Sequence, residues 1–311
     1  MTSVFIDGSA GTTGLRIRER LSARPELSLL TLPEELRKDP AARRDALNSA
    51  DVAFLCLPDD AAREAVSLLS SPHTVVIDTS TAHRTDPSWV YGFPELPGAR
   101  AHIAASRRIA NPGCHASGFV SLIAPLTARG LLDPAFPRSC FTLTGYSGGG
   151  KKMIAEYEAA ERSPLLSAPR TYGLSQSHKH LPEMTKVCGL SRSPVFSPIV
   201  ADFYAGMEVV VPLPAEAVRG GLPAVEAAYR DAYADGLIRF AESPDEAGFL
   251  SAAAMAGRDD MEVSVFGNAE RITLVSRFDN LGKGASGAAI QNMNLVLGLD
   301  ECTGLNIYKE D

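Results

Sequence analysis

The stretch Val4-Phe5-Ile6-Asp7-Gly8-Ser9-Ala10-Gly11-Thr12-Thr13-Gly14 decides the fold. Val4 to Ile6 is a short β-type run. Thr13 to Leu21 reads as a helix, with Leu15, Ile17 and Leu21 apolar. Glycines between the two allow a tight turn and a close approach of backbone to a ligand, and the free N–H groups at a helix start suit a phosphate. The spacing is GxxGxxG rather than GxGxxG, so the loop gains meaning from its place on a first strand. Gly8, Ser9, Ala10, Gly11, Thr12, Thr13 and Gly14 are therefore candidate dinucleotide-binding residues, with a plain tight turn as the alternative reading.

Working outward, Leu27 to Leu32, Val52 to Leu57 and Thr74 to Ile77 are further strand-like runs. Helical patterns at Pro40 to Leu47 and Asp59 to Leu69 separate them, the second with Asp59 and Asp60 in its first turn, where negative charge suits the helix dipole. This βαβαβαβ rhythm predicts a parallel sheet with right-handed crossovers. After Cys114 the order changes. His115 to Leu126 is an apolar helix, Phe141 to Leu143 and Met207 to Val211 are strands, and Ala224 to Tyr233 is helical. Met261 to Phe266 and Arg271 to Phe278 form a hairpin through Gly267-Asn268. The fold class is thus α/β: a Rossmann-type parallel-sheet domain plus an α+β domain with a mixed sheet. Ser163 to Pro194 reads as a long Ser/Pro-rich loop, a type of segment that often carries function.

Composition sets the outer limits. A chain of 311 residues suggests two domains. Its 45% apolar content supplies a sizeable core. A net charge of −7 argues against a general nucleic-acid binder. Five cysteines without a CxxC pair argue against a disulfide framework and a zinc knuckle. A cytoplasmic location is expected, with neither a signal peptide nor a membrane span.

Candidate chemistry follows from four clusters. Asn111-Pro112-Gly113-Cys114 opens the apolar helix, and a thiol at a helix N-terminus is favoured as thiolate. The alternative is a buried structural cysteine. Ser177-His178-Lys179-His180-Leu181-Pro182-Glu183 offers two histidines two residues apart. A general acid/base beside a thiol is the reading favoured here. An inert surface pair competes with it, whereas a metal pair lacks a third ligand at recognisable spacing. Ser147-Gly148-Gly149-Gly150-Lys151-Lys152 suits a phosphoryl oxyanion, or is a solvated turn. Arg84, just past the fourth strand, suits a phosphate or carboxylate, or a structural salt bridge. At the cofactor end, Glu34 stands where an acid would hold a ribose 2′-hydroxyl, and Arg37 and Lys38 stand where cations would hold a 2′-phosphate. These residues alone leave NAD and NADP both open.

In this order, the glycine loop, the Asn111–Cys114 turn, the Ser177–Glu183 segment and Asp279-Asn280-Leu281-Gly282-Lys283-Gly284-Ala285-Ser286-Gly287 resemble the short-type N-acetyl-γ-glutamyl-phosphate reductases and their relatives, the aspartate-semialdehyde dehydrogenases. The resemblance spans nearly the whole chain. It implies an NADP-dependent reduction of an acyl phosphate to an aldehyde through a cysteine thioester. Cys114 is the implied nucleophile and His180 the acid/base, with His178 kept open for that role. Asn280 and Gly284 join Arg37, Lys38 and the glycine loop at the cofactor. Arg84, Ser147, Gly148, Lys151 and Glu183 fall to the substrate, and no metal is expected. The Rossmann domain is re-entered by the chain end, giving residues 1–113 with 284–311 as the dinucleotide-binding domain. Residues 114–283 form the catalytic and oligomerisation domain, and the expected assembly is a homodimer or homotetramer. Two other classes stay in view: a non-redox cysteine acyltransferase, against which the glycine loop argues, and a dinucleotide sensor without turnover, against which Cys114 argues. Within the reductases, aspartyl or aminoadipyl phosphate is the alternative substrate.

Overall fold

The computed structural model describes residues 1–308, and the chain divides into two compact units. The first comprises Met1–Gly113 and Ala285–Leu305, the second Cys114–Gly284 and Asn306–Asp311.

In the first unit the chain runs β1 (Thr2–Asp7), α1 (Thr12–Ser22), β2 (Leu27–Leu30), α2 (Pro40–Ser49), β3 (Val52–Leu55), α3 (Asp59–Ser67), β4 (Val75–Asp78), β5 (Val90–Tyr91), α4 (Ala99–Ala105) and β6 (Arg108–Ala110). All six strands are parallel, in the order β2-β1-β3-β4-β6-β5. The expected rhythm is present, and β5, α4 and β6 extend it beyond the sequence reading. Strand alternation builds two cores. Val4, Phe54, Ile77 and Ile109 face one side with Ile17 and Leu21 of α1 and Ile103 of α4. Phe5, Ala53, Leu55 and Val76 face the other with Leu47 of α2 and Ala62 and Ala65 of α3. A sheet covered on both faces explains why Val52–Leu55 is apolar throughout instead of alternating. The chain leaves β1 for β2 on one side and builds β3 on the other, so the glycine loop stands at the topological switch point of the sheet.

The second unit begins with α5 (Cys114–Ala128), followed by β7 (Ser139–Gly145), α6 (Gly150–Glu158), β8 (Arg170–Thr171), α7 (Leu181–Val187), β9 (Val195–Ala201), β10 (Met207–Pro214), α8 (Gly221–Ala232), β11 (Ile238–Phe240), β12 (Met261–Gly267) and β13 (Arg271–Phe278). Its seven strands form a mixed sheet, β11-β12-β13-β10-β7-β9-β8. The β12–β13 hairpin turns at Gly267, whose φ of 141° puts an added Cβ 2.1 Å from the Arg271 carbonyl oxygen. The expected long loop between 163 and 194 is corrected here. It contains β8 and α7, and α7 starts directly after His180 with Pro182 in its first turn. Pro fits a first turn because its missing N–H has no intrahelical partner there.

The chain then returns through a π-turn (Gly282–Ser286) to α9 (Gly287–Val296), whose Ile290 and Met293 complete the core with α1 and α4. Two boundaries differ from the sequence expectation. Gly284 falls with the second unit, and so do residues 306–308; residues 309–311 of the expected segment lie outside the described residues. The reason for the latter is backbone pairing: Asp259 N–H donates to the Asn306 carbonyl at 2.7 Å, and Asn306 N–H to the Asp259 carboxylate at 2.9 Å. No helix among the described residues is long and apolar enough to cross a membrane.

Helix α5 is buried along its whole length from His115 to Leu126. It lies close on its sheet because Gly118 has no side chain. A Cβ there would stand 2.4 Å from Val209 Cγ2, 2.8 Å from Ser276 Oγ and 2.9 Å from Phe278 Cε1. Gly118→Ala should therefore lower stability by about 1–3 kcal/mol through overpacking. Denaturant unfolding would read this as a lower midpoint at unchanged slope.

Candidate active site

Cys114 is the first residue of α5, and its side chain is half-buried. The turn before it is braced within the first unit. Arg84 donates through Nε to the Asn111 carbonyl at 2.9 Å, and Asn111 Nδ2 donates to the Ala285 carbonyl at 3.0 Å. Among the other cysteines, Cys56 is half-buried and its thiol is pushed up to about 12 by desolvation. Burial likewise raises Cys140 and Cys188. Those three are poor nucleophiles, since it is the thiolate that reacts.

The second unit brings two histidines to Cys114. The sulfur and one nitrogen each of His115 and His180 all lie within 4.8 Å of one another. His180 is buried and stands immediately before α7, whose Met184 N–H donates to its carbonyl at 3.0 Å. His178 lies outside that triple. Its ring packs on His180 at 4.9 Å and on Phe196 at 5.1 Å, and its Nδ1 accepts the His180 backbone N–H at 3.3 Å. Burial, and then the Lys179 charge, lower His178. The pair thus divides: His180 meets the sulfur and His178 supports the backbone that carries it.

Sequence reasoning missed His115, reading it only as the start of an apolar helix. It is buried, with Nδ1 2.8 Å from Thr142 Oγ1 and Nε2 2.7 Å from the Tyr172 hydroxyl. Burial first, then the charges of His178 and Lys179, push it down from 6.5 to about 3. His115 also supplies the third donor that spacing did not reveal for a metal. Both its nitrogens are already engaged in hydrogen bonds, however, so the triple does not present three open lone pairs. No sequence signal pointed to Tyr172, which lies 57 residues further along the chain. Burial and then the Cys114 charge raise its phenol.

Gly284 packs directly against the Cys114 side chain, since an added Cβ would stand 2.9 Å from Cys114 Cβ. Asn280 donates through Nδ2 to Ser147 Oγ at 3.0 Å and accepts the Gly206 N–H at 2.9 Å. Two residues expected at the cofactor and the substrate therefore hold each other inside the second unit, both buried. Gly148 sits next to this contact, and Lys151 is exposed in the first turn of α6. Glu183 is buried in the first turn of α7, three residues after His180. Arg84 is 9% exposed and also donates to the Thr79 carbonyl at 2.9 Å, so it acts in part as a brace.

In the first unit the glycine loop opens on a cavity of about 420 Å³. Phe5, Leu29, Leu30 and Leu57 provide apolar lining, and Arg18, Arg37 and Lys38 contribute cations. The loop geometry fits a dinucleotide. Gly8 has a φ of 85°, with an added Cβ 2.3 Å from the Cys56 carbonyl oxygen, and a Cβ on Gly14 would stand 2.4 Å from the Gly8 oxygen. Gly11 caps α1 in extended conformation and meets nothing closer than 3.4 Å. Gly8 and Gly14 are needed by the turn itself, whereas Gly11 leaves the helix N-terminus open to a ligand. Ser9, Ala10, Thr12 and Thr13 complete the loop and the first turn of α1. Asp7 is tied to Arg43 at 3.0 Å, and Glu34 lies 3.8 Å from Arg37. Arg18, on α1, was not foreseen, because the sequence reading looked for cations only after β2.

Comparison with known proteins agrees with this architecture. Residues 32–106 match the family described as semialdehyde dehydrogenase, NAD binding domain, and residues 114–280 match semialdehyde dehydrogenase, dimerisation domain. The N-acetyl-gamma-glutamyl-phosphate reductase of Rhizobium leguminosarum bv. trifolii is 48% identical over 94% of this chain and 98% of its own length. N-acetyl-gamma-glutamyl-phosphate reductase 2 of Nostoc sp. is 44% identical over 97% and 98%. Among solved structures, aspartate semialdehyde dehydrogenase from Francisella tularensis has a TM-score of 0.71 at 13% identity, covering 96% of this chain and all (100%) of that one. Aspartate semialdehyde dehydrogenase II from Vibrio cholerae has a TM-score of 0.67 at 18% identity, covering 96% and 99%.

The low value of His115 has a consequence for stability. Below pH 6.5 the unfolded chain protonates this histidine, while the folded chain does not until about pH 3. Stability is therefore lost as pH falls through that window. His115→Gln should flatten the acid-side loss, read from unfolding midpoints in neutral and mildly acid buffers.

Proposed function

The chain belongs to the N-acetyl-gamma-glutamyl-phosphate reductase family, within the semialdehyde dehydrogenases, and from that premise we propose its reaction. It reduces N-acetyl-γ-glutamyl phosphate to N-acetylglutamate semialdehyde and releases phosphate, as a step of arginine biosynthesis. The observation that carries this reading is the Cys114 sulfur at the start of a buried helix, within 4.8 Å of a His180 nitrogen.

In this reading His180 takes the thiol proton, and the Cys114 sulfur attacks the acyl carbon. The C–S bond forms, the C–O bond to phosphate breaks, and a thioester remains on Cys114. A dihydronicotinamide, when bound, supplies the hydride that reduces a thioester to the aldehyde level. The C–S bond then breaks, and His180 returns the proton to sulfur. His178 holds the His180 backbone, and Glu183, buried one helical turn on, is assigned to the substrate side. Arg84 and Lys151 are the cations assigned to the leaving phosphate, with Ser147 and Gly148 shaping the loop that ends at Lys151.

The glycine loop holds the pyrophosphate in this reading, and NADP is the preferred cofactor. Asp7 is buried and held by Arg43, and Glu34 stands exposed 3.8 Å from Arg37. Three cations line the same cavity. Asn280 and Gly284 act indirectly, Asn280 by holding the Ser147 hydroxyl and Gly284 by leaving room for the Cys114 Cβ. Two copies are expected to pair through the uncovered face of the second sheet, where Phe141, Val195 and Pro212 are exposed beside the half-buried Leu143, Ile199 and Val210.

The reverse reaction tests the substrate. Phosphate-dependent NADPH formation is expected with N-acetylglutamate semialdehyde and not with aspartate semialdehyde, assayed side by side. The opposite preference would reassign the substrate to aspartyl phosphate. Cys114→Ser should abolish turnover and leave cofactor binding intact. His180→Asn should lower kcat by roughly 10²–10⁴-fold, with His178→Asn milder. If His178→Asn is the severe variant, the two roles exchange.

Cofactor choice is tested separately. Arg18→Ala and Arg37→Ala should each weaken NADPH by roughly tenfold, the scale of one charge-assisted hydrogen bond, and leave NADH nearly unchanged. Fluorescence titration with both nucleotides reads the ratio, and an equal loss for both would remove the 2′-phosphate from this cavity.

A further inference from the structure

Two polar groups near Cys114 have no part in the reaction described above: the His115 ring, one nitrogen of which lies within 4.8 Å of the sulfur, and the Tyr172 hydroxyl bonded to that ring. The backbone fixes Tyr172 in place. Its N–H donates to the Pro198 carbonyl at 3.0 Å, directly after β8 pairs with β9. Its hydroxyl lies 2.7 Å from His115 Nε2, and His115 Nδ1 lies 2.8 Å from Thr142 Oγ1. A neutral imidazole has one N–H and one lone pair, so these two bonds must run in the same sense along the chain. In one sense Tyr172 donates inward to His115, and His115 donates to Thr142. In the other, Thr142 donates to Nδ1, Nε2 donates to the Tyr172 oxygen, and the phenolic proton is turned away from His115. A negative charge on Cys114 favours the second sense, because a hydrogen bond to an ion is stronger than one to a neutral group.

We propose that Tyr172 donates this proton as a hydrogen bond to the Cys114 sulfur and stabilises its thiolate, with His115 and Thr142 as positioning residues and His115 not a second base. The inference rests on Cys114 being the nucleophile. The thiol proton goes to His180, Tyr172 keeps its own proton, and no bond to Tyr172 forms or breaks. The phenol stays protonated because burial and the Cys114 charge both raise it. His115 stays neutral chiefly because it is buried, with His178 and Lys179 lowering it further. The titratable groups around the sulfur are His115 and His180, each with a nitrogen within 4.8 Å, then Tyr172 and His178 packed on His115, with the exposed Lys179 between the two loop histidines and the buried Lys283 preceding Gly284. In that company Tyr172 supplies a directed donor.

The test is the pH dependence of iodoacetamide alkylation at Cys114, scored by peptide mass, in the parent, Tyr172→Phe, His115→Gln and the double variant. Tyr172→Phe is expected to raise the thiol pKa by about one unit, a roughly tenfold slower alkylation near pH 7. At high pH, where every thiol is ionised, its rate should equal that of the parent, which excludes a packing defect. His115→Gln should shift the thiol in the same direction, and the double variant should go no further than Tyr172→Phe alone. An unchanged thiol titration in folded Tyr172→Phe overturns the proposal, as do additive shifts in the double variant. Because alkylation needs neither substrate nor nucleotide, a shifted titration in a chain that fails the acyl-phosphate assay would keep this inference and overturn the proposed reaction.

Discussion

Close approach at two glycines governs the position of the nucleophile. Gly118 lets α5 lie on Val209, Ser276 and Phe278, and Gly284 lets the returning chain pass the Cys114 β-carbon. A side chain at either place would move the helix or its first turn, and the sulfur with it. The burial of α5 from His115 to Leu126 follows from the same contact. So does the exposure pattern of Cys114, which is half-buried at the start of this helix. The geometry of a reactive thiol is here a packing result before it is an electrostatic one.

Electrostatics then sorts three neighbouring histidines into different tasks. His115 is buried and bonded at both nitrogens, and is kept neutral to about pH 3. His178 is lowered by burial and Lys179, and its Nδ1 is occupied by the His180 backbone. His180 is the one of the two loop histidines that shares the 4.8 Å triple with the sulfur. Neutral neighbours are useful to a thiolate site of this kind. They contribute dipoles and donors without competing for the thiol proton. The same burial destabilises the folded protein in acid, so the arrangement that keeps His115 neutral also ties stability to pH.

Much of this was legible in the residues. The alternation of strands and helices in the first 78 residues follows from apolar runs that only a doubly covered parallel sheet can bury. The hairpin at Gly267-Asn268 was visible because an unusual backbone angle demands an unusual residue. Cys114 stood out because Pro112 and Gly113 punctuate the chain just before a helix. The elements that carry no legible pattern are mostly short, and β9 (Val195–Ala201) is broken in sequence by Ser197-Pro198. β5, β6, β8 and β11 have two or three residues each and carry no periodicity to read. Helix α7 reads as loop in the sequence because its seven residues are too few to show an amphipathic repeat.

The sequence by itself determined the two chemistries, a glycine turn on a first strand and a thiol at a helix start, because each depends on residues adjacent in the chain. It determined the alternatives at the histidine pair without choosing between them. The choice came from tertiary structure, which alone decides distances across a sheet. Thr142 and Tyr172 reach His115 from β7 and from the turn after β8, over 27 and 57 residues of sequence. Arg18 reaches the cofactor cavity from α1, on the far side of the loop from Arg37 and Lys38 in the chain. Hydrogen bonds and packing act through space over a few ångströms and carry no trace of sequence separation. Residues recruited in that way could be recognised only once the strands and helices carrying them were in place.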